Sequence, residues 1–283
     1  MKLRIRSLVI GVMAMVAVIG LNFAPLSFAA NPDMVGNKAF DAEVEEGLDY
    51  FRDLVKEQLP LVKDLKKAIA SGNLAAAKAA YVDSRPPYEQ IEVYAGSFED
   101  EDSDIDARPY GFDDGEESPD FKGFHRIEAY IYRDGDLKAA LPYAEGLIDS
   151  IMALDAKLND PSNFSAESNF EGMVALVTEV PAKKISSEEE TWSDQSVLIF
   201  DNNWKGIYSQ YKPYADRLPR SIASRVDAAY EACQESIRPY RISGQVGMRP
   251  YSSVSVAGRG KISAAAYEFR SAIIEARDAL GLG

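Results

Sequence analysis

Two residue types that most often carry metal and redox chemistry are nearly missing from this chain. It contains one cysteine, Cys233, and one histidine, His125. A single cysteine excludes an intrachain disulfide and a thiolate-bound zinc or iron–sulfur cluster. A single histidine excludes HExxH zinc-protease sites and three-histidine zinc sites. Any metal site must therefore be built mainly from carboxylates. Bases are also short against acids, 31 Lys and Arg to 45 Asp and Glu, for a net charge of −14. Nucleic-acid binding needs clustered bases to neutralise phosphates, so no nucleic-acid partner is expected. Strand-type alternation is scarce too. The best stretch, Tyr251 to Val256, lies between Pro250 and Gly258 and reads as a loop.

A long uncharged run occurs only at the amino terminus. Lys2, Arg4 and Arg6 precede an uncharged segment from Leu8 to Leu21, and Ser27 and Ala29 supply small residues before a cut. This is the layout of a secretory signal peptide over residues 1–29, with a mature start at Ala30 or Asn31. The alternative is a retained anchor, because the uncharged stretch extends from Ser7 to Pro32. Its apolar core is shorter than the ~20 residues that span a bilayer, which favours export. No cysteine lies near the cut to carry a lipid. Subtracting the three bases from −14 leaves −17 for the mature chain. The expected product is an exported, acidic, soluble protein in the periplasm.

The remainder, 30–283, has helical periodicity. Leu48, Phe51, Leu54, Val55, Leu59, Val62, Leu65 and Ile69 form one stripe within Glu45–Ile69. Gly72-Asn73 ends it, and an alanine-rich helix follows from Leu74 to about Val82. Further helices are expected over Phe121–Tyr132, Leu137–Leu158, Glu167–Val180, Glu188–Tyr211, Ile222–Tyr240 and Lys261–Leu280. Such lengths, joined by short Gly, Pro and Asn connections, point to antiparallel helix bundles in one compact domain.

Between Glu99 and Asp120 the pattern breaks. That stretch holds eleven acids and one base, Arg108. It reads first as a solvated loop, and alternatively as a cation-attracting loop beside a metal site. On its amino side, Pro86 and Pro87 suit a helix start, and Glu89 and Glu92 lie three apart on one helical face. On its carboxyl side, His125 and Glu128 have the same spacing. Facing helices that each offer such a pair build carboxylate-rich iron and manganese sites. One imidazole among carboxylates suits iron or manganese better than zinc or calcium. Each pair alone has a plainer reading, surface acids in one case and a capping or ion-paired histidine in the other.

The segments RPPYEQIE (Arg85–Glu92), IDAR (Ile105–Arg108), GFHRIE (Gly123–Glu128) and KISSEEETWS (Lys184–Ser193) occur in this order. Together they resemble the EfeO/imelysin family of periplasmic iron-uptake proteins, from about Ala39 to the carboxyl terminus. The resemblance implies an all-α fold, imelysin-like, of two antiparallel four-helix-type bundles with a metal site in the cleft. It implies metal ligands Glu89, Glu92, Asp106 and His125, with an acid at Glu188 or Glu189. Glu128 would be either a ligand or the acceptor that orients the imidazole. Two departures stand out. Only about ten residues separate the expected cut from the first helix, so the cupredoxin-like domain of many EfeO proteins is expected to be absent. Trp192-Ser193-Asp194-Gln195-Ser196 replaces the family's Tyr-Ser-His-Thr-Asp and removes a histidine.

The resemblance implies an iron-binding component (Fe2+ or Fe3+, with other divalent metals as alternatives) that delivers its cargo to an inner-membrane iron permease. A peroxidase-type partner and peripheral membrane association are further expectations. The alternatives are an imelysin-type metallopeptidase and a metal-dependent polysaccharide-binding protein. A catalytic zinc site needs an open position and a base beside its water. Carboxylate ligands acidify that water less well, so no enzymatic activity is expected. An anionic polymer would need bridging cations at a net charge of −17.

Overall fold

A computed structural model describes residues 38–186 and 189–283. The expected signal peptide, the mature start and Glu188 lie outside the described residues. Helix α1 (Asp41–Ala70) buries Val44, Leu48, Phe51, Leu54, Val55, Val62, Leu65 and Ile69 along one face. Helix α2 (Leu74–Ser84) starts at Asn73, whose side chain accepts the Ala76 N–H at 3.1 Å. Helix α3 (Pro86–Ile91) follows directly. The two prolines bring no N–H to this junction, and a side chain from α1 braces it. Buried Gln58 donates to the Ser84 carbonyl at 2.6 Å and accepts from the Tyr88 N–H at 2.9 Å. That brace fixes the direction in which Arg85, Glu89 and Glu92 leave the chain.

Helix α4 (Glu99–Asp106) corrects the loop reading for the first part of the acidic run, while the rest of it to Asp120 is irregular with short turns. Its first turn carries Glu99, Asp100, Glu101 and Asp102, where carboxylates oppose the positive end of the helix dipole. Its last turn buries Ile105 and Asp106. Short turns lead to α5 (Gly123–Glu128), which continues as a π-turn over Ala129–Asp134. Helix α6 (Leu137–Leu158) is capped by Asp136, which accepts the Ala139 N–H at 2.9 Å.

Helices α7 (Ala166–Ala182), α8 (Ser196–Tyr211), α9 (Arg220–Ile237) and α10 (Val256–Ala279) complete the chain. Two groups result. Helix α1 packs on α2 and α6, and α5 packs on α6, while α7, α8, α9 and α10 pack on one another in a second bundle. Helix α3 lies between the groups, against α1 and α8. Among the described residues there is no strand, only an isolated bridge between Arg241 and Met248. The fold is all-α, and Tyr251–Val256 holds no strand: a short turn over Tyr251–Ser253 leads through Val254 and Ser255 into the helix that begins at Val256.

One helix is shorter than its composition implied. The expected helix from Glu188 begins instead at Ser196. Asp194 adopts a left-handed backbone (φ 62°), which ends any helical run there. The N–H groups of Trp192 and Ser193 point to the Glu128 side chain rather than to a preceding turn.

Glycines set the two closest approaches that matter for the site. Gly206 of α8 faces the Gln90 carbonyl, 2.1 Å from where a Cβ would sit. Gly123 has φ +75°, and a Cβ there would lie 2.2 Å from the Ile105 carbonyl oxygen. Gly123 thus lets α5 start against the end of α4 and brings His125 to Asp106. Replacing Gly123 by Ala combines a left-handed backbone with a backbone clash, and is expected to cost more than about 1 kcal/mol. Gly146→Ala in α6, where a Cβ meets nothing within 4 Å, is expected to stabilise by roughly 0.5–1 kcal/mol. Urea denaturation of both variants checks the contrast.

Candidate metal centre

Six buried carboxylates converge where α3, α4, α5 and the 189–195 turn meet: Glu89, Glu92, Asp106, Glu128, Glu189 and Glu190. Buried charge is tolerated only when paired, and three bases do the pairing. Arg85 contacts Glu89 at 2.5 Å, Asp106 at 2.7 Å and Glu190 at 2.9 Å. Its guanidinium also lies over the Phe124 ring, 4.5 Å from the centroid. Arg108 contacts Asp106 at 3.3 Å and hydrogen-bonds Glu189. Lys184 donates to both Glu92 oxygens, at 3.0 and 2.9 Å, and to the Asn203 side-chain oxygen at 3.0 Å. Asn203 in turn donates to Glu89 Oε2 at 3.1 Å and Glu92 Oε2 at 2.8 Å.

Within this network one group differs. A carboxylate oxygen of Asp106, a ring nitrogen of His125 and a carboxylate oxygen of Glu189 all lie within 4.8 Å of one another, and all three residues are buried. His125 Nδ1 meets Glu128 Oε2 at 3.1 Å, which directs Nε2 toward Asp106, 3.5 Å away. The other Glu128 oxygen accepts the Trp192 and Ser193 N–H groups at 2.9 and 2.7 Å. Glu128 is therefore fully engaged in holding the imidazole and the 189–195 turn. His125 Nε2 is buried with only the Asp106 carboxylate near it, and the two Asp106 oxygens are held by the Arg85 and Arg108 guanidinium groups. An imidazole nitrogen beside two carboxylates is a donor set that fits iron or manganese once the bases that now pair the acids give way.

The expected residues are thus assembled, but not equivalently. Asp106, His125 and Glu189 face one another, whereas Glu89 and Glu92 face Arg85 and Lys184. Among the described residues, neither Glu89 nor Glu92 joins a second group of three close donors. The sequence reading missed Glu190, which accepts from Tyr81 at 3.2 Å and from the Ser193 hydroxyl. It also missed the bases. Each was visible, since Arg85 opens RPPYEQIE, Arg108 closes IDAR and Lys184 opens KISSEEETWS. Asn203 carried no such signal.

Electrostatics divide the acids in the same way. Burial alone would raise Asp106 and Glu189, but Arg85 with Arg108, and Arg108 with Lys184, hold them below the ordinary carboxylate range. Burial dominates at Glu92 and Glu190 and pushes each up to about 7. For His125, burial and Arg108 oppose the charged form, but Asp106 and Glu128 outweigh them and raise it to about 9. A folded-state pKa above the ordinary 6.5 means that protonated His125 stabilises the metal-free fold below about pH 6.5. That contribution is lost as pH rises through 9. Thermal midpoints of metal-free protein are expected to fall between pH 6.5 and 9, and the His125→Gln variant to show a flatter profile over the same range.

The imelysin family model matches residues 48–271. The iron uptake system component EfeO of Escherichia coli (strain K12) is 29% identical over 235 residues, covering 81% of this chain and 62% of that protein. The iron uptake system component EfeM of Pseudomonas syringae pv. syringae (strain B728a) is also 29% identical over 235 residues, covering 81% of this chain and 80% of EfeM. The chain therefore spans less than two thirds of the length of the EfeO relative.

Proposed function

The chain belongs to the imelysin family, and from that premise we propose that it is an iron-binding component of an uptake system, exported to the periplasm. It would capture the ion and hand it to an inner-membrane permease, with a peroxidase-type protein as a further partner. The observation that carries this reading is the buried Asp106–His125–Glu189 group, whose imidazole Glu128 orients. The iron relatives' names give the cargo; the donor set fits it. Asp106, His125 Nε2 and Glu189 are the residues assigned to hold the ion, and Glu128 orients the ring through Nδ1, as metal-bound histidines require. Glu89 and Glu92 act one layer out by fixing Arg85 and Lys184.

Charge supports the same reading. Six carboxylates stand against three permanent bases, and burial pushes Glu92 and Glu190 up to about 7, so the centre gains negative charge as pH rises through neutrality and a multivalent cation can compensate it. The acids at the start of α4 add a long-range pull on cations that salt screens. A hydrolytic role has less support. Glu92 and Glu190, the acids poised near neutrality, are tied to Lys184 and to Arg85, Tyr81 and Ser193. Neither is free to take a proton from a bound water. Among the described residues no helix is long and apolar enough to cross a membrane.

Anaerobic calorimetric titration of iron(II) separates the roles. Asp106→Asn, His125→Gln and Glu189→Gln are expected to weaken binding more than about 100-fold, and Glu128→Gln by ~10–100-fold. Glu92→Gln is expected to change it least. Wild-type affinity in the His125 and Glu189 variants would show that the ion binds elsewhere.

A further inference from the structure

The three bases of the centre differ in how firmly they are held. Arg85 has no solvent contact, pairs with three acids and lies over Phe124. Lys184 is 4% exposed, hydrogen-bonded to Glu92 and Asn203, and 3.4 Å from Glu189. Arg108 is the most exposed of the three, and it alone touches both acids of the close group. Its side chain is 16% exposed, and its partners are Asp106 and Glu189, two of the three close donors. It follows the carboxyl end of α4 on an extended backbone (φ −98°, ψ 152°). A cavity of about 100 Å3 adjoins it, lined by Arg108, Tyr110, Glu179, Lys183, Lys184 and Glu189.

Resting on the iron-binding reading above, we infer that Arg108 is an internal competitor for the ion. Its guanidinium neutralises Asp106 and Glu189 in the metal-free protein and swings into the adjoining cavity when a cation takes those carboxylates. Glu179, on the cavity wall and paired only loosely with exposed Lys183 at 3.8 Å, offers a carboxylate outside the centre to receive it. The exchange replaces the Arg108 ion pairs at Asp106 and Glu189 with metal–oxygen bonds; the arginine keeps its proton, no electron moves, and the His125 Nε2 proton leaves to solvent as the ion binds there. Because the guanidinium can return, the same residue opposes retention and promotes release. A site built for handover rather than storage needs such a counterweight, since the donor set alone would hold the ion tightly.

The test is iron(II) binding, with manganese(II) as a redox-inert second probe, to wild type and to Arg108→Met, Arg108→Lys and Glu179→Gln. Arg108→Met keeps the length and loses the competing charge. It is expected to bind at least about tenfold more tightly, equal to 1.4 kcal/mol, and to release the ion more slowly to a chelator. Arg108→Lys, with a single ammonium in place of the fork, is expected to fall between Arg108→Met and wild type. Glu179→Gln is expected to weaken binding when Arg108 is present and to have no effect when Arg108 is Met, a coupling that a double-mutant cycle reads directly. Circular dichroism and thermal midpoints establish that each variant is folded. Wild-type or weaker affinity in folded Arg108→Met overturns the competitor role while leaving the iron site standing. Absence of iron binding to wild type instead overturns the reading on which it rests.

Discussion

Arg85 carries a full charge at a position with no solvent contact, and the candidate centre is organised around keeping that charge paired. Its three carboxylate partners come from three places: Glu89 from α3, Asp106 from the end of α4 and Glu190 from the 189–195 turn. Phe124 of α5 covers its face. Truncating one partner of a buried ion pair strands the other, at a typical cost of 3–5 kcal/mol. Here three acids would be stranded together. The arginine thus fixes the relative positions of the segments that carry the candidate donors. Gln58 fixes the arginine's own place by closing the proline junction from which it emerges.

From that constraint the asymmetry of the centre follows. Glu89, Glu92 and Glu190, paired with Arg85 and Lys184, form a rigid rim, while Asp106, His125 and Glu189 stand close to one another in the interior. Glu128 completes the arrangement by spending one oxygen on the imidazole and the other on two backbone N–H groups. That carboxylate couples ring orientation to the shape of the 189–195 turn. The turn cannot relax into the amino end of α8 without releasing the histidine. A binding centre assembled this way is preorganised in its framework, yet adjustable at one base, which suits capture followed by transfer.

Much of the fold was legible because burial imposes a period. Helix α6 was readable to its ends, Leu137 and Leu158, since apolar residues recur at helical spacing and Asp136 supplies the cap. Helix α4 was not, because it has no apolar stripe; only Ile105 and Asp106 at its carboxyl end are buried. The start of α8 was misplaced for the opposite reason. Glu188–Gln195 contains nothing that forbids a helix, and the decisive features, Asp194's left-handed backbone and the grip of Glu128, are tertiary. Five of the six acids of the centre, all but Glu190, stand out in the sequence motifs. The bases within those same motifs were overlooked, although buried carboxylates in such number require cations beside them.

Diffraction at the iron absorption edge from crystals of the iron-loaded protein tests the central claim most directly. The account predicts one anomalous peak bounded by the Asp106 carboxylate, His125 Nε2 and the Glu189 carboxylate, with Arg85 still paired and Arg108 withdrawn from both acids. A peak outside that group, with the Arg108 contacts to Asp106 and Glu189 intact, would contradict it.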